Sequence, residues 1–252
     1  MVSIGECAAR AAAVRFADSF AAVAGAATRS VILHGSLAAG GFRAGRSDID
    51  VLAVIAGGLT DAQVAALERV ARQLDLGGAA GLDLDVVTAE TAAAPIRAPA
   101  LELHLGRYDG SSRAVEVERR VPAAPDLPAE LSMARADGRA LRGAAPREVI
   151  APVPAGWLVD RGRHWLLTWR SRTDDAEHAA FMALTACRIW HFAVEHEHCA
   201  KGEAAAWVLG RDSALTAVRQ AMQQYEHGTG LIGEPDLAEL LDTVLRETAP
   251  AR

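Results

Sequence analysis

The sequence predicts an α+β protein: a mixed sheet with helices, followed by a half that is helical throughout. Short apolar runs at residues 30–34, 48–55, 82–87 and 99–108 show strand character and are separated by helical patterns. Prolines then cluster between Pro122 and Pro128, a composition suited to a linker. Beyond that point the apolar residues recur at helical spacing almost to the end. The expected organisation is one domain over 1–124 and a helical domain over 125–252.

Residues 5–25 are Ala-rich, with Val14, Phe16, Phe20 and Val23 at helical intervals, so they read as a helix. Residues 30–34 form a short buried strand that ends in the turn Gly35-Ser36, and residues 48–55 form the second strand, stopped by Gly57-Gly58. Thr60 with Gln63 is a capping-box pattern opening a helix whose apolar face is Val64, Leu67, Val70 and Leu74. Leu82-Asp83-Leu84-Asp85-Val86-Val87 alternates cleanly and reads as a strand. Residues 99–108 alternate again, with Leu101, Leu103 and Leu105 on one side and Glu102 and His104 on the other, and residues 114–121 supply an edge strand. Helices are expected over 129–142, 157–171, 175–197, 202–209, 213–226 and 235–247.

Half of the chain is apolar, enough for a real core, and the net charge of −6 argues against a broad electrostatic grip on nucleic acid. Cys7, Cys187 and Cys199 are far apart and form no CxxC, which suits reduced thiols. The N-terminus shows no basic region followed by an apolar run, and no stretch has the apolar length needed to span a bilayer. The expectation is a cytoplasmic protein whose partner is a small molecule rather than nucleic acid or a membrane.

The chemistry is concentrated in Leu33-His34-Gly35-Ser36 and Ser47-Asp48-Ile49-Asp50-Val51-Leu52. Side chains at i and i+2 of a strand point to one side, so Asp48 and Asp50 are expected to converge. Two carboxylates so placed repel unless a cation lies between them, and hard oxygen ligands favour Mg²⁺. A backbone turn beside them is suited to a triphosphate. His104, His164, His191, His196, His198 and His227 show no metal-ligand spacing and receive no role.

Gly-Ser, a spacer and Asp-x-Asp on a strand resemble the signature of the DNA polymerase beta-like nucleotidyltransferases. More narrowly, the chain resembles the aminoglycoside adenylyltransferases acting on streptomycin and spectinomycin. The segments 134–143, 150–154, Leu184-Thr185-Ala186-Cys187-Arg188-Ile189-Trp190 and 201–209 resemble that family's C-terminal helical domain. The resemblance implies a polymerase-beta-like nucleotidyltransferase domain followed by a helical bundle. It also implies Mg²⁺-dependent transfer of AMP from ATP to a drug hydroxyl.

Carried over by position, Asp48 and Asp50 bind Mg²⁺, and Gly35, Ser36 and Ser47 touch the triphosphate. Arg188 and Lys201 reach the nucleotide from the helical domain. Glu102 is the general base and a further metal carboxylate, with Asp83 and Asp85 as rivals for a site carboxylate. Trp169 and Asp174 resemble a Trp/Asp pair lining the drug pocket, a fitting wall for amino or guanidino groups. Where relatives have a polar set, this chain has His178-Ala179-Ala180-Phe181, with Asp175 three residues before His178 to compensate. That departure leaves a protein side chain or another small molecule as the alternative acceptor.

Overall fold

The computed structural model describes residues 3–108 and 114–250. It divides into two compact units, Met1–Val153 and Pro154–Arg252.

The first unit runs α1 (Ile4–Ala24), β1 (Thr28–His34), α2 (Gly35–Ala39), β2 (Ile49–Ile55), α3 (Asp61–Gln73), β3 (Leu82–Thr88), α4 (Ala89–Ala93), β4 (Leu101–Arg107), β5 (Glu116–Val121), α5 (Leu127–Asp137), β6 (Arg139–Gly143) and α6 (Pro146–Val149). The six strands form one sheet in the order β5-β4-β3-β2-β1-β6. Only β2 and β3 are parallel, as the crossover through α3 requires, and every other pair is antiparallel. The expected capping box opens α3: Thr60 Oγ1 accepts from Gln63 N at 3.3 Å, and Gln63 Oε1 accepts from Thr60 N at 2.9 Å.

One face of the sheet is apolar. Val31, Leu33, Val51, Ala53, Leu84, Val86, Leu103 and Leu105 pack there with Phe16, Phe20, Val64 and Leu67 of α1 and α3. The opposite face is divided. Ile32, Leu52, Val54 and Val87 are covered together with Leu127 and Leu131 of α5, while the positions at the start of β2 and β3 carry acids.

Two expectations are corrected here. Residues 139–142 read as the end of a helix, but they form β6, the edge partner of β1, with Ile32 opposite Ala140 and Leu33 opposite Arg139. Gly138 makes the change of direction possible, because a Cβ there would collide with the Ala134 carbonyl oxygen. Ser30 Oγ fastens the same edge by donating to Ala144 O at 2.7 Å. As a consequence residues 125–153 belong with the sheet, and the units part at Val153/Pro154 rather than within the proline cluster.

The second unit comprises α7 (Ala155–Arg170), α8 (Ala179–Glu195), α9 (Lys201–Arg211), α10 (Thr216–His227) and α11 (Glu234–Glu247). The apolar helix α8 packs against each of the other four. Its Met182, Leu184, Cys187 and Trp190 join Leu166, Val208, Leu237 and Leu241 in the core. Arg170 clamps Asp242 with two hydrogen bonds of 2.6 and 3.0 Å. Among the described residues, no helix is long and apolar enough to cross a membrane.

Candidate active site

Strand register assembles the acids. In the parallel pair β2/β3, Asp50 lies beside Asp83. In the antiparallel pair β3/β4, Asp85 lies beside His104. His34, the last residue of β1, lies beside Asp50. The alternation of β3 thus sends Leu82, Leu84 and Val86 into the α1/α3 core and turns Asp83 and Asp85 the other way.

His104 links these groups. Its Nδ1 is 2.9 Å from Asp85 Oδ1 and 3.6 Å from Asp83 Oδ1, and its Nε2 is 2.9 Å from the Tyr108 hydroxyl. The Tyr108 hydroxyl in turn donates to Asp83 Oδ2 at 3.3 Å. The hydrogen bond to Asp85 raises the His104 pKa against the opposing effect of burial. As an imidazolium, His104 donates from Nδ1 to Asp85 and from Nε2 to Tyr108, which donates onward to Asp83. Burial, and then the charge of Asp85, push the Asp83 carboxyl up to about 6. Burial also raises the Tyr108 phenol, and the Asp83 charge adds to it.

Asp83, Asp85 and His104 could hold a metal ion, their ligand atoms all lying within 4.8 Å of one another. Asp50, Asp83, Asp85 and His104 line a cavity of about 420 Å³ in the first unit, together with Glu118, Asp126 and Glu130. His34 is buried on its wall, and burial lowers its pKa to about 4 although Asp85 opposes the shift.

The Gly35-Ser36 turn opens the short helix α2. Gly35 has φ +63°, and a Cβ there would collide with Asp50 Oδ2, so the carboxylate rests directly on the glycine backbone. Asp48, just before β2, has Oδ1 within 2.6 Å of where a Cβ on Gly81 would stand, and its charge contributes to the raised Asp83 pKa. Ser47 is buried; its Oγ accepts from Arg43 N at 3.0 Å and closes the loop ahead of β2.

Glu102 is not brought to this group. Its Oε1 accepts from Leu59 N at 2.8 Å, ahead of α3. The β4 residue opposite Asp83 is Gly106, whereas Glu102 lies beyond the Val86–Leu103 pair. Four residues at ~3.3 Å each put it about 13 Å further along the strand. In the described structure it is the rival pair, Asp83 and Asp85, rather than Glu102, that lines the cavity with Asp50. His104, given no role from sequence, is what joins them. The three residues come from two strands, so no local spacing announces them. His34 carried one signal, a histidine ending an otherwise apolar strand.

In the second unit, Trp169 is buried, stacked on Trp165 at 5.8 Å and edge-on to Phe181 at 5.8 Å. Phe181, which replaces an expected polar residue, also lies beneath Lys201, whose Nζ is 5.4 Å from that ring and 5.7 Å from the Tyr225 ring. Lys201 is the first residue of α9, as its sequence position suggested. Asp174 is exposed. Asp175 accepts from His178 Nδ1 at 2.9 Å, and this holds the Asp175 pKa below the usual carboxylate range. Arg188 is half-buried on α8; burial, with the Arg188 charge adding to it, lowers the His198 pKa to about 4.

Residues 148–244 match the family described as the aminoglycoside adenylyltransferase C-terminal domain. The chain is 29% identical over 206 residues to proteins described as aminoglycoside (3'') (9) adenylyltransferase from Klebsiella pneumoniae, Shigella flexneri and Escherichia coli, spanning 78% of this chain and 77% of each relative, with the Escherichia coli protein at the same level. Its fold matches the crystal structure of spectinomycin adenyltransferase AAD(9) from Enterococcus faecialis with ATP and spectinomycin, at TM-score 0.70 and 13% identity over 94% of this chain and 98% of that one. With a carboxylate-lined sheet site in the first unit and a match to this family's C-terminal domain over residues 148–244, the chain is similar to the aminoglycoside adenylyltransferases and shares the fold of one of them.

Proposed function

We propose that this protein transfers AMP from ATP to a hydroxyl of an aminoglycoside or aminocyclitol, with Mg²⁺ bound and Asp83 as the general base. The observation that carries the reading is the register pairing of Asp50 with Asp83, next to the Gly35-Ser36 turn.

The residues fit a hard divalent ion. Asp50 is seated where only a glycine leaves room for it, and the charges of Asp85 and Asp48 act on Asp83 with no lysine or arginine among the described residues lining the cavity. Asp48 and Asp50 would hold the ion. When bound, Mg²⁺ neutralises triphosphate charge and favours in-line displacement. Asp83 accepts the proton of the acceptor hydroxyl, the freed oxygen attacks the α-phosphorus, and pyrophosphate departs. A pKa near 6 suits that task at neutral pH. Asp85, His104 and Tyr108 hold the Asp83 carboxylate in place. The N–H groups of the Gly35-Ser36 turn face the triphosphate, and Arg188 and Lys201 keep the nucleotide role that the family resemblance implies. Asp174, Asp175 and His178 are the acceptor-binding polar groups on the same ground, with Trp169 as a packed aromatic wall.

Pyrophosphate release from ATP across a panel of aminoglycosides tests this. Release is expected only when a drug acceptor is present, and Asp50→Asn should lower it by about 10²-fold or more with an unchanged circular dichroism spectrum. Labelling of a protein band from ATP, with no drug modified, would replace the drug by a protein acceptor.

A further inference from the structure

We propose that Phe181 is a positioning residue for the nucleotide: its ring, with that of Tyr225, holds the Lys201 ammonium ready for a phosphate. The proposal rests on the reading above that Lys201 meets ATP. It goes beyond that reading by giving a task to a side chain whose place in the sequence suggested only a lost drug contact.

Two observations meet here. The first is the setting of the lysine. Lys201 opens α9, and the partial positive charge of a helix N-terminus disfavours a cation there. Two ring faces offset that. The Lys201 Nζ stands 5.4 Å from the centre of the Phe181 ring and 5.7 Å from that of Tyr225, both inside the ~6 Å over which the negative face of an aromatic ring attracts an ammonium. A ring face carries no net charge, so it holds the ammonium without neutralising it. A lysine stem is long and flexible, and an ammonium fixed beforehand loses less freedom when an anion arrives.

The second observation is the ring itself. Phe181 is 51% exposed, although the next three residues of α8, Met182, Ala183 and Leu184, are buried in the bundle core. A ring half in water gains only part of the free energy of burial. It is nevertheless oriented. Trp169 of α7 meets it edge-on, with centres 5.8 Å apart and planes at 78°, and Trp169 is buried and stacked on Trp165. Residues of α7, α8, α9 and α10 thus converge on one ammonium within the second unit. The same arrangement argues against a drug contact at this ring. An aminoglycoside brings cations, and a cation on Phe181 would meet the like charge of Lys201, whereas a phosphate is attracted to it.

The test is calorimetric titration of the full-length protein with ATP and Mg²⁺, which needs no acceptor, together with KM for ATP and for drug from pyrophosphate release. Phe181→Leu, Phe181→Tyr, Lys201→Met and the double variant are compared with wild type. Phe181→Leu should weaken ATP binding and raise KM for ATP by about fivefold while KM for drug is held, and Phe181→Tyr should restore both. In the Lys201→Met background, Phe181→Leu should change ATP affinity by less than about twofold, because the ring then has no ammonium to hold. Fluorinated phenylalanines in place of Phe181 keep the ring close to its size and draw negative charge from its face, so ATP affinity should fall stepwise with each added fluorine. Equal losses from Phe181→Leu with and without Lys201, or ATP affinity indifferent to fluorination, overturn the proposal and leave AMP transfer standing. A rise in KM for drug alone assigns the ring to the acceptor and overturns it too. ATP affinity within about twofold of wild type in Lys201→Met removes the lysine from the nucleotide, and the task of Phe181 with it. Wild-type protein that binds ATP but modifies no drug overturns the acceptor reading, and the ring still stands or falls on the calorimetry. Wild-type protein that binds no ATP overturns both.

Discussion

The two faces of the central sheet are built from the same strands and obey opposite rules. On the α1/α3 side, Leu82, Leu84 and Val86 of β3 are fully buried among apolar neighbours, and every contact lowers the free energy. One residue away along the same strand, Asp83 and Asp85 share a half-buried cavity with Asp50, and burial and mutual repulsion raise the Asp83 pKa to about 6. The first face holds the molecule together. The second accepts an unfavourable charge arrangement of the kind that clusters at functional sites, which is why the proposed chemistry is assigned to it.

Substitutions can set the two faces against each other. The largest effect is expected at Asp83. Asp83→Asn should abolish AMP transfer by about 10²-fold or more if this carboxylate is the base, measured as kcat by pyrophosphate release. The same variant should change the pH dependence of stability. An acid whose folded pKa is raised binds its proton more tightly when folded, so stability is highest below the unfolded value of 3.8 and is lost as pH rises towards about 6. Without divalent ions, Asp83→Asn should therefore melt at a higher temperature than wild type at pH 8 and show no such gain at pH 3.5. An equal shift at both values would mean that the charge of Asp83 is not what strains this face.

On the apolar face, Leu84→Ala should cost about 2–5 kcal/mol of stability by urea denaturation while the folded fraction keeps its kcat. The smallest effect is expected at Glu102. Glu102→Gln retains a side-chain oxygen to accept from Leu59 N, so kcat should stay far from the roughly 10²-fold loss a general base would show. A loss of that size would return the base to Glu102 and demand a rearranged β4.

Much of this architecture could be read in advance where the signal was local. The alternation of residues 82–87, the Thr60/Gln63 capping box and the helical stripe of α8 each needed only neighbours in the chain. What was missed depended on pairing between distant segments. Residues 139–142 carry no strand signal of their own and become a strand because β1 has an open edge. His104 gains its meaning only when β4 lies antiparallel to β3 with Asp85 opposite it. Glu102 was chosen by likeness of position along the chain, and register then placed it at the far end of the strand. In the helical unit, Phe181 read as a lost drug contact, yet it packs on Trp169 and under the Lys201 ammonium.

The strict alternation of β3 reaches beyond catalysis. A slip of a single residue against β2 would thrust two acids into the oily layer beneath α1 and expose three aliphatic side chains to water. The penalty for that slip makes the two acids a register lock for β3 in addition to the role proposed for them in the cavity.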